Sequence, residues 1–191
     1  MRDAGSFEAL LAGLPARRTR RRLVRCVPHL DFVTGDPPRF LYTSGRPNRC
    51  NPRGVNCLYF SEDERTADAE FRRQWRGTDA ETQPKLTFFA RVDLRSIIDL
   101  ETEQVIHALG LTHDDLFGPW RLSPQLTPLQ QLGLAISRQR TVAAVRFPSA
   151  ALGTSARKGW NLAIFPLSIE SPNRVEILGK SGDPLEMLPR A

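Results

Sequence analysis

The residue types in this chain that could do chemistry gather between Arg49 and Arg73, in RCNPRGVNCLYFSEDERTADAEFRR. Glu70 is the centre of that stretch. At ~3.6 residues per turn it sits roughly 100° around a helix from Phe71, beside an apolar stripe of Ala67, Phe71 and Trp75. A carboxylate there borders the core, where it can stabilise a developing positive charge or orient an attacking group. The plainer use of the same residue is a surface pair with Arg73. Arg49, and Arg25 upstream, carry planar guanidinium groups, the natural partners of phosphate oxygens. In a chain with 27 lysines and arginines, the plain fate of either is the surface. Tyr59, ahead of the helix, offers a ring for stacking, or else closes the core at a strand end. Ser149 ends a strand with no base at fixed spacing, so it reads as a hydrogen-bonding group and not as a nucleophile. Asn51 and Asn161 are secondary candidates for ligand or loop contacts.

These side chains need elements to hold them. Residues 49–54 have the Asn-Pro and Gly content of a tight loop. Residues 57–60 form an apolar, aromatic run that suits a buried strand. Ser61 and Glu64 have the spacing of a capping box for the helix that carries Glu70, and Glu62, Asp63 and Glu64 suit its positive end. Arg25 falls on a strand over residues 23–27. Asp36-Pro37-Pro38 reads as a turn, and residues 39–43 as a short extended segment. Residues 6–13 form an amphipathic helix with Ser6 as N-cap. A basic linker follows, so residues 1–20 stand apart from a main domain over 21–191.

Residues 86–94 have an apolar residue at every even position and make the clearest strand. A short helix spans 102–109, and an acidic loop covers 112–115. Thr127 and Gln130 make a second capping box with Pro128 at the first helical position. That helix runs to about Arg138 and buries Leu129, Leu132, Leu134 and Ile136. Residues 141–147, 160–165 and 174–178 are further strands. Strands and helices mix without regular alternation, which argues against a doubly wound sheet. The prediction is a single α+β domain with five to seven short strands and three or four helices.

A length of 191 residues suits one domain with an ordinary core, and 40% hydrophobic with 25% charged residues fits a soluble globular protein. Cys26, Cys50 and Cys57 are odd in number and form no C-x-x-C pair, which points to free thiols in a reducing cytoplasm. His29, His107 and His113 lack zinc-site spacing, so no metal is expected. No apolar run reaches the ~18 residues of a membrane span. No basic-then-apolar leader opens the chain, and a cytoplasmic location is expected. The net charge of +6 owes much to residues 16–25, ARRTRRRLVR. Such a run is either a patch for nucleic acid or an acidic partner, or a solvated linker. It holds no aromatic residue to stack on bases, so direct nucleic-acid binding is not expected.

The order of the short motifs resembles the RES-domain family, the toxin halves of bacterial toxin–antitoxin pairs. That family has an early Arg at a strand end, then R-x-N-P-x-G, an aliphatic-Tyr strand end, and T-A-x-x-E. Here these read Leu23-Val24-Arg25, Arg49-Cys50-Asn51-Pro52-Arg53-Gly54, Leu58-Tyr59 and Thr66-Ala67-Asp68-Ala69-Glu70. The family's Ser lies in a Pro-Ser pair, here Pro148-Ser149, followed by G-x-N-L at Gly159-Trp160-Asn161-Leu162. The resemblance covers the chain from about Arg22 onward. Cys50 departs from it, standing where many members carry an aromatic residue.

The resemblance implies a fold similar to the ADP-ribosylating toxins such as diphtheria toxin, and NAD+ as a substrate rather than a resident cofactor. The bond broken would join nicotinamide to ribose. Nicotinamide leaves neutral from a cationic ring, so no general acid is required, while the ribose carbon becomes oxocarbenium-like. In that reaction Glu70 would stabilise the cation and bind the ribose hydroxyls or orient water or phosphate. Arg25 and Arg49 would hold the two phosphates, Tyr59 would stack on the nicotinamide, and Ser149 would hydrogen-bond the ribose or Glu70. A cognate antitoxin is also implied, in this family commonly an Xre-type helix-turn-helix protein. The expected outcome is NAD+ depletion by hydrolysis or phosphorolysis, and growth arrest. ADP-ribosyl transfer to a protein, or a non-enzymatic nucleic-acid-binding module on residues 17–25, are the rivals.

Overall fold

The structure, a computed structural model, describes residues 3–34, 38–152 and 158–189. In chain order its helices and strands are α1 (Ala4–Leu11), β1 (Arg17–Pro28), α2 (His29–Thr34), β2 (Leu58–Ser61), α3 (Glu64–Trp75), β3 (Lys85–Asp99), α4 (Glu103–Leu109), α5 (His113–Phe117), α6 (Pro128–Gln139), β4 (Ala144–Pro148), β5 (Trp160–Ile164), β6 (Arg174–Leu178) and β7 (Pro184–Leu188). The class is α+β, as the mixed order predicts.

The strands lie in the order β1-β2-β5-β4-β3-β6-β7, and β1 also pairs with β3. That extra pairing closes five strands into a ring, from which β6 and β7 extend as a wing. β3 and β4 run parallel, with Ile97 opposite Ala144. The alternation in residues 86–94 is what holds β3 in place. Phe88, Ala90, Val92 and Leu94 are buried together with Leu23, Leu58, Phe60, Leu162, Ile164, Val175 and Ile177. On the other side of β4 and β5, Val145, Phe147 and Ala163 pack with helices α1, α4 and α6 through Phe7, Leu109, Leu129, Leu132 and Ile136. β5 is therefore covered on both faces, which is why Leu162-Ala163-Ile164 reads as a continuous apolar run.

Several local expectations are corrected. The basic run is not a linker: Arg17 to Arg25 are residues of β1, paired antiparallel along β3. Long arginine stems cover sheet surface while their heads stay in water. Arg18 pairs with Asp93 at 2.7 Å, and the Arg22 guanidinium lies 4.2 Å over the Phe89 ring. α1 is capped by Asp3, whose carboxylate accepts from Ser6 N, so Ser6 lies inside the helix. α3 is capped by Asp63, with Thr66 N donating to it at 2.8 Å, whereas Ser61 is the last residue of β2. Residues 112–115 open helix α5 through a Thr112–Asp115 capping box instead of forming a loop. Residues 39–43 are turn and loop, not an extended strand. The helices number six among the described residues, and β7 is a strand that periodicity did not predict. In α6 the Thr127–Gln130 box forms as expected, but Leu134 is only half-buried. Of the turn at Asp36-Pro37-Pro38, the first two residues lie outside the described ones.

Candidate active site

Three neighbouring strands form the floor of the site. Ser61 on β2 lies opposite Asn161 on β5, and Asn161 lies opposite Phe147 on β4. Directly opposite residues project to the same sheet face, so this row presents Ser61, Asn161 and Phe147 together. Ser149 follows β4, with its N–H donating to the Gly159 carbonyl at 2.7 Å. Helix α3 starts just after β2 and crosses this row, bringing Glu70 over it. The Ser149 hydroxyl donates to Glu70 Oε1 at 2.7 Å and the Asn161 amide donates to the same oxygen at 2.9 Å. Asn161 Oδ1 in turn accepts from Ser61 Oγ at 2.7 Å. Glu70 is half-buried, while Ser61, Ser149 and Asn161 are no more than 5% exposed. The surface pair with Arg73 does not form; on this helix Arg72 pairs with Asp68, which also meets Lys85.

Tyr59, two residues before Ser61 on the same face of β2, ties the strand to the R-x-N-P-x-G loop. Its hydroxyl donates to Asn51 Oδ1 at 2.8 Å and accepts from Cys50 N at 2.9 Å, and its ring meets Phe147 edge-on. The Asn51 amide donates to the carbonyls of Arg46 and Val55, each at 2.9 Å. The loop is thus fixed from both ends by one asparagine. Burial pushes the Tyr59 phenol well above its ordinary range, and likewise the Cys57 thiol, with the Cys50 thiol raised to about 12.

The two arginines reach the site by different routes. Arg49, 7% exposed, donates Nη1 to the Leu116 carbonyl at 2.8 Å and to that of Gly118 at 3.2 Å, bracing the end of α5. Arg25, on β1, donates to the carbonyls of Phe40 at 3.4 Å and Tyr42 at 3.2 Å. That loop is itself held by Glu186 of β7, whose carboxylate accepts from the N–H groups of Arg39, Phe40 and Leu41. Burial lowers both guanidinium groups, Arg25 to about 10. Among the described residues neither has a carboxylate within ion-pair distance.

Arg25, Arg49, Tyr59, Glu70 and Asn161 line one cleft of about 100 Å³, together with Ser61, Trp120 and Arg121. It adjoins a wider chamber of about 320 Å³ that shares Arg25, Asn48, Tyr59 and Gln74 and adds Arg39, Thr43, Ser44 and Arg46. Arg25, Arg49, Tyr59 and Glu70, with the secondary candidate Asn161, are therefore brought to one cleft wall, and Asn51 lines the wider chamber. Ser149 stands behind Glu70 instead. Sequence reasoning missed Ser61, Trp120 and Arg121. The signal for Ser61 was its period of two from Tyr59; no motif marks the other two. Among the described residues no group of three His, Cys, Asp or Glu side chains could hold a metal ion, and no helix is long and apolar enough to cross a membrane.

A family model described as RES domain matches residues 22–186. Among solved structures, the crystal structure of the M.tuberculosis MbcT-MbcA toxin-antitoxin complex is similar, with a TM-score of 0.60 at 16% identity. The match covers 86% of this chain and 85% of that one. At such identity the likeness is one of fold. No curated protein matches the chain.

Proposed function

This chain belongs to the RES domain family, and from that premise we propose that it is a toxin that cleaves NAD+ between nicotinamide and ribose. The observation that carries the proposal is the combination of charges in one cleft. Buried Arg49 and half-buried Arg25 make no ion pair among the described residues, and both line the cleft with a Glu70 held by two hydrogen bonds on one oxygen. A guanidinium partly withdrawn from water without an ion-pair partner is costly. Two in one cleft suit a ligand that brings its own negative charge, and a dinucleotide brings two phosphates. The narrower chamber around Glu70 suits the nicotinamide and its ribose. The wider one, with Arg39, Arg46, Thr43 and Ser44, suits the adenosine end.

In this reading the bond between the nicotinamide nitrogen and the ribose carbon breaks with its electron pair going to nitrogen, and neutral nicotinamide departs. The ribose carbon acquires oxocarbenium character, and the Glu70 carboxylate stabilises it from a geometry set before substrate arrives. Water or phosphate then forms the new bond at that carbon, losing its proton to Glu70 or solvent. Tyr59 offers its ring to the cationic nicotinamide, since its hydroxyl is taken by the loop. Arg49 acts on the phosphates through its charge and its Nη2 and Nε donors, because its Nη1 is committed to two carbonyls.

MbcT was solved in complex with MbcA, and we extend that arrangement to a cognate antitoxin for this chain, of the helix-turn-helix type. The deciding experiment is NAD+ turnover by the purified protein against Glu70→Ala, with and without inorganic phosphate. A loss of roughly a hundredfold to a thousandfold in Glu70→Ala is expected, and a phosphate requirement would name the acceptor. Unchanged NAD+ with the native protein in every condition would sink the reading. Labelling of a lysate protein from labelled NAD+, with little free ADP-ribose, would redirect it to transfer.

A further inference from the structure

We infer that Asn161, oriented by Ser61, is a positioning residue that sets the Glu70 carboxylate for the reaction. The inference rests on reading Glu70 as the catalytic carboxylate. Its starting point is the direction of a hydrogen-bond chain. A carboxylate only accepts, so the Asn161 group 2.9 Å from Glu70 Oε1 must be its NH2. The amide oxygen of Asn161 then faces Ser61, whose hydroxyl at 2.7 Å must donate. Every proton in the chain Ser61–Asn161–Glu70 therefore points toward Glu70. Acceptor and donor thus agree on one orientation, Glu70 taking the NH2 and Ser61 satisfying the amide oxygen; without Ser61 that buried oxygen loses its donor and the amide is held from one end only.

The second feature is that both protein donors meet the same oxygen. Ser149 and Asn161 each bond Oε1, and no hydrogen bond to Oε2 is formed among the described residues. Ser149 and Asn161 are buried at 4% and 5% exposure, and Asn161 reaches the cleft wall. Oε1 is thus the anchored oxygen and Oε2 the one left for substrate. The anchoring spans elements distant in sequence, with 100 residues between Ser61 and Asn161 and 91 between Asn161 and Glu70. Ser61 also lies in the cleft lining, but in this scheme its hydroxyl is committed to Asn161 and it acts through that residue.

The test uses full-length protein, NAD+ turnover, and the side-chain NH2 signals of Asn161 in a 15N-resolved spectrum. Ser61→Ala is expected to lower kcat by roughly tenfold to a hundredfold, the range for outer partners that orient a site ligand, with KM within about twofold. Ser61→Thr, which keeps the hydroxyl, restores kcat. Asn161→Asp places a second carboxylate against Glu70 and lowers kcat further. The Asn161 NH2 signals should shift in Glu70→Ala and in Ser61→Ala and return in Ser61→Thr. Unchanged kcat in Ser61→Ala overturns the inference, as does a loss that follows melting temperature and KM alone. If native protein consumes no NAD+, the enzymatic reading falls, and the NH2 signals still decide the relay. Signals indifferent to Glu70→Ala or Ser61→Ala would overturn it.

Discussion

Tyr59 shows how a side chain can serve the site and the fold with different atoms. Its ring borders the cleft, while its hydroxyl joins Cys50 N to Asn51 Oδ1. Tyr59→Phe keeps the ring and leaves a buried N–H and a buried amide oxygen each short of a partner. Such losses cost about 1–3 kcal/mol. The urea midpoint is therefore expected to fall, with NAD+ KM nearly unchanged; an unchanged midpoint would mean the loop does not depend on this bond. The residue types and spacings around Arg25, Arg49, Tyr59 and Glu70 were legible in the sequence. What each one bonds was not. Ser149 meets Glu70 across 79 residues, and no local pattern encodes a contact between side chains that only the folded sheet brings together.

Among the elements, two capping boxes make the contrast plain. Thr127 and Gln130 form the box their spacing predicts, because both partners lie within one turn. Ser61 and Glu64 have the same spacing, yet β2 keeps Ser61 for its ladder with β5, and Asp63 caps α3 instead. Helix α6 carries the sharpest constraint on the loop that holds Arg49. A Cβ on Gly133 would lie 1.7 Å from the Cys50 carbonyl oxygen, and Gln130 Nε2 donates to the Asn48 carbonyl one turn earlier at 3.0 Å. Helix and loop therefore meet backbone to backbone. By helix propensity alone Gly133→Ala should stabilise α6 by about 1 kcal/mol. The close approach reverses the sign, and a loss of about 3 kcal/mol is expected in urea unfolding, with activity falling as the loop shifts. A stabilised Gly133→Ala would contradict this packing.

At the scale of the whole molecule, stability should decline in alkali. Burial raises Cys50 to about 12 and holds Cys57 and Tyr59 well above their ordinary values. The unfolded chain releases these protons from about pH 8.5 for cysteine and about pH 10 for tyrosine, while the folded protein retains them. The unfolded state then binds fewer protons than the native one, so stability is full below about pH 8.5 and falls as pH rises toward 12. Urea midpoints at about pH 7.5 and about pH 10.5 should show the fall, and Cys57→Ala should reduce it. Equal midpoints would mean the thiols and phenol are open to water.

Residues 86–94, 127–138 and 174–178 declared their elements by themselves, because alternation and capping act over a few neighbouring residues. The ordered motifs from Arg25 to Asn161 likewise named the family before any fold was known. The strand over residues 23–27 was legible, but tertiary structure alone decided that it begins at Arg17, since only pairing with β3 outweighs five arginines in the six residues 17–22. It alone made β7 a strand and gave Glu186 three N–H groups to hold. It alone converted Ser61 from a helix cap into the first donor of a chain ending on Glu70. Each of those outcomes depends on a partner far away in sequence, and local preference worth a fraction of a kcal/mol per residue yields to it.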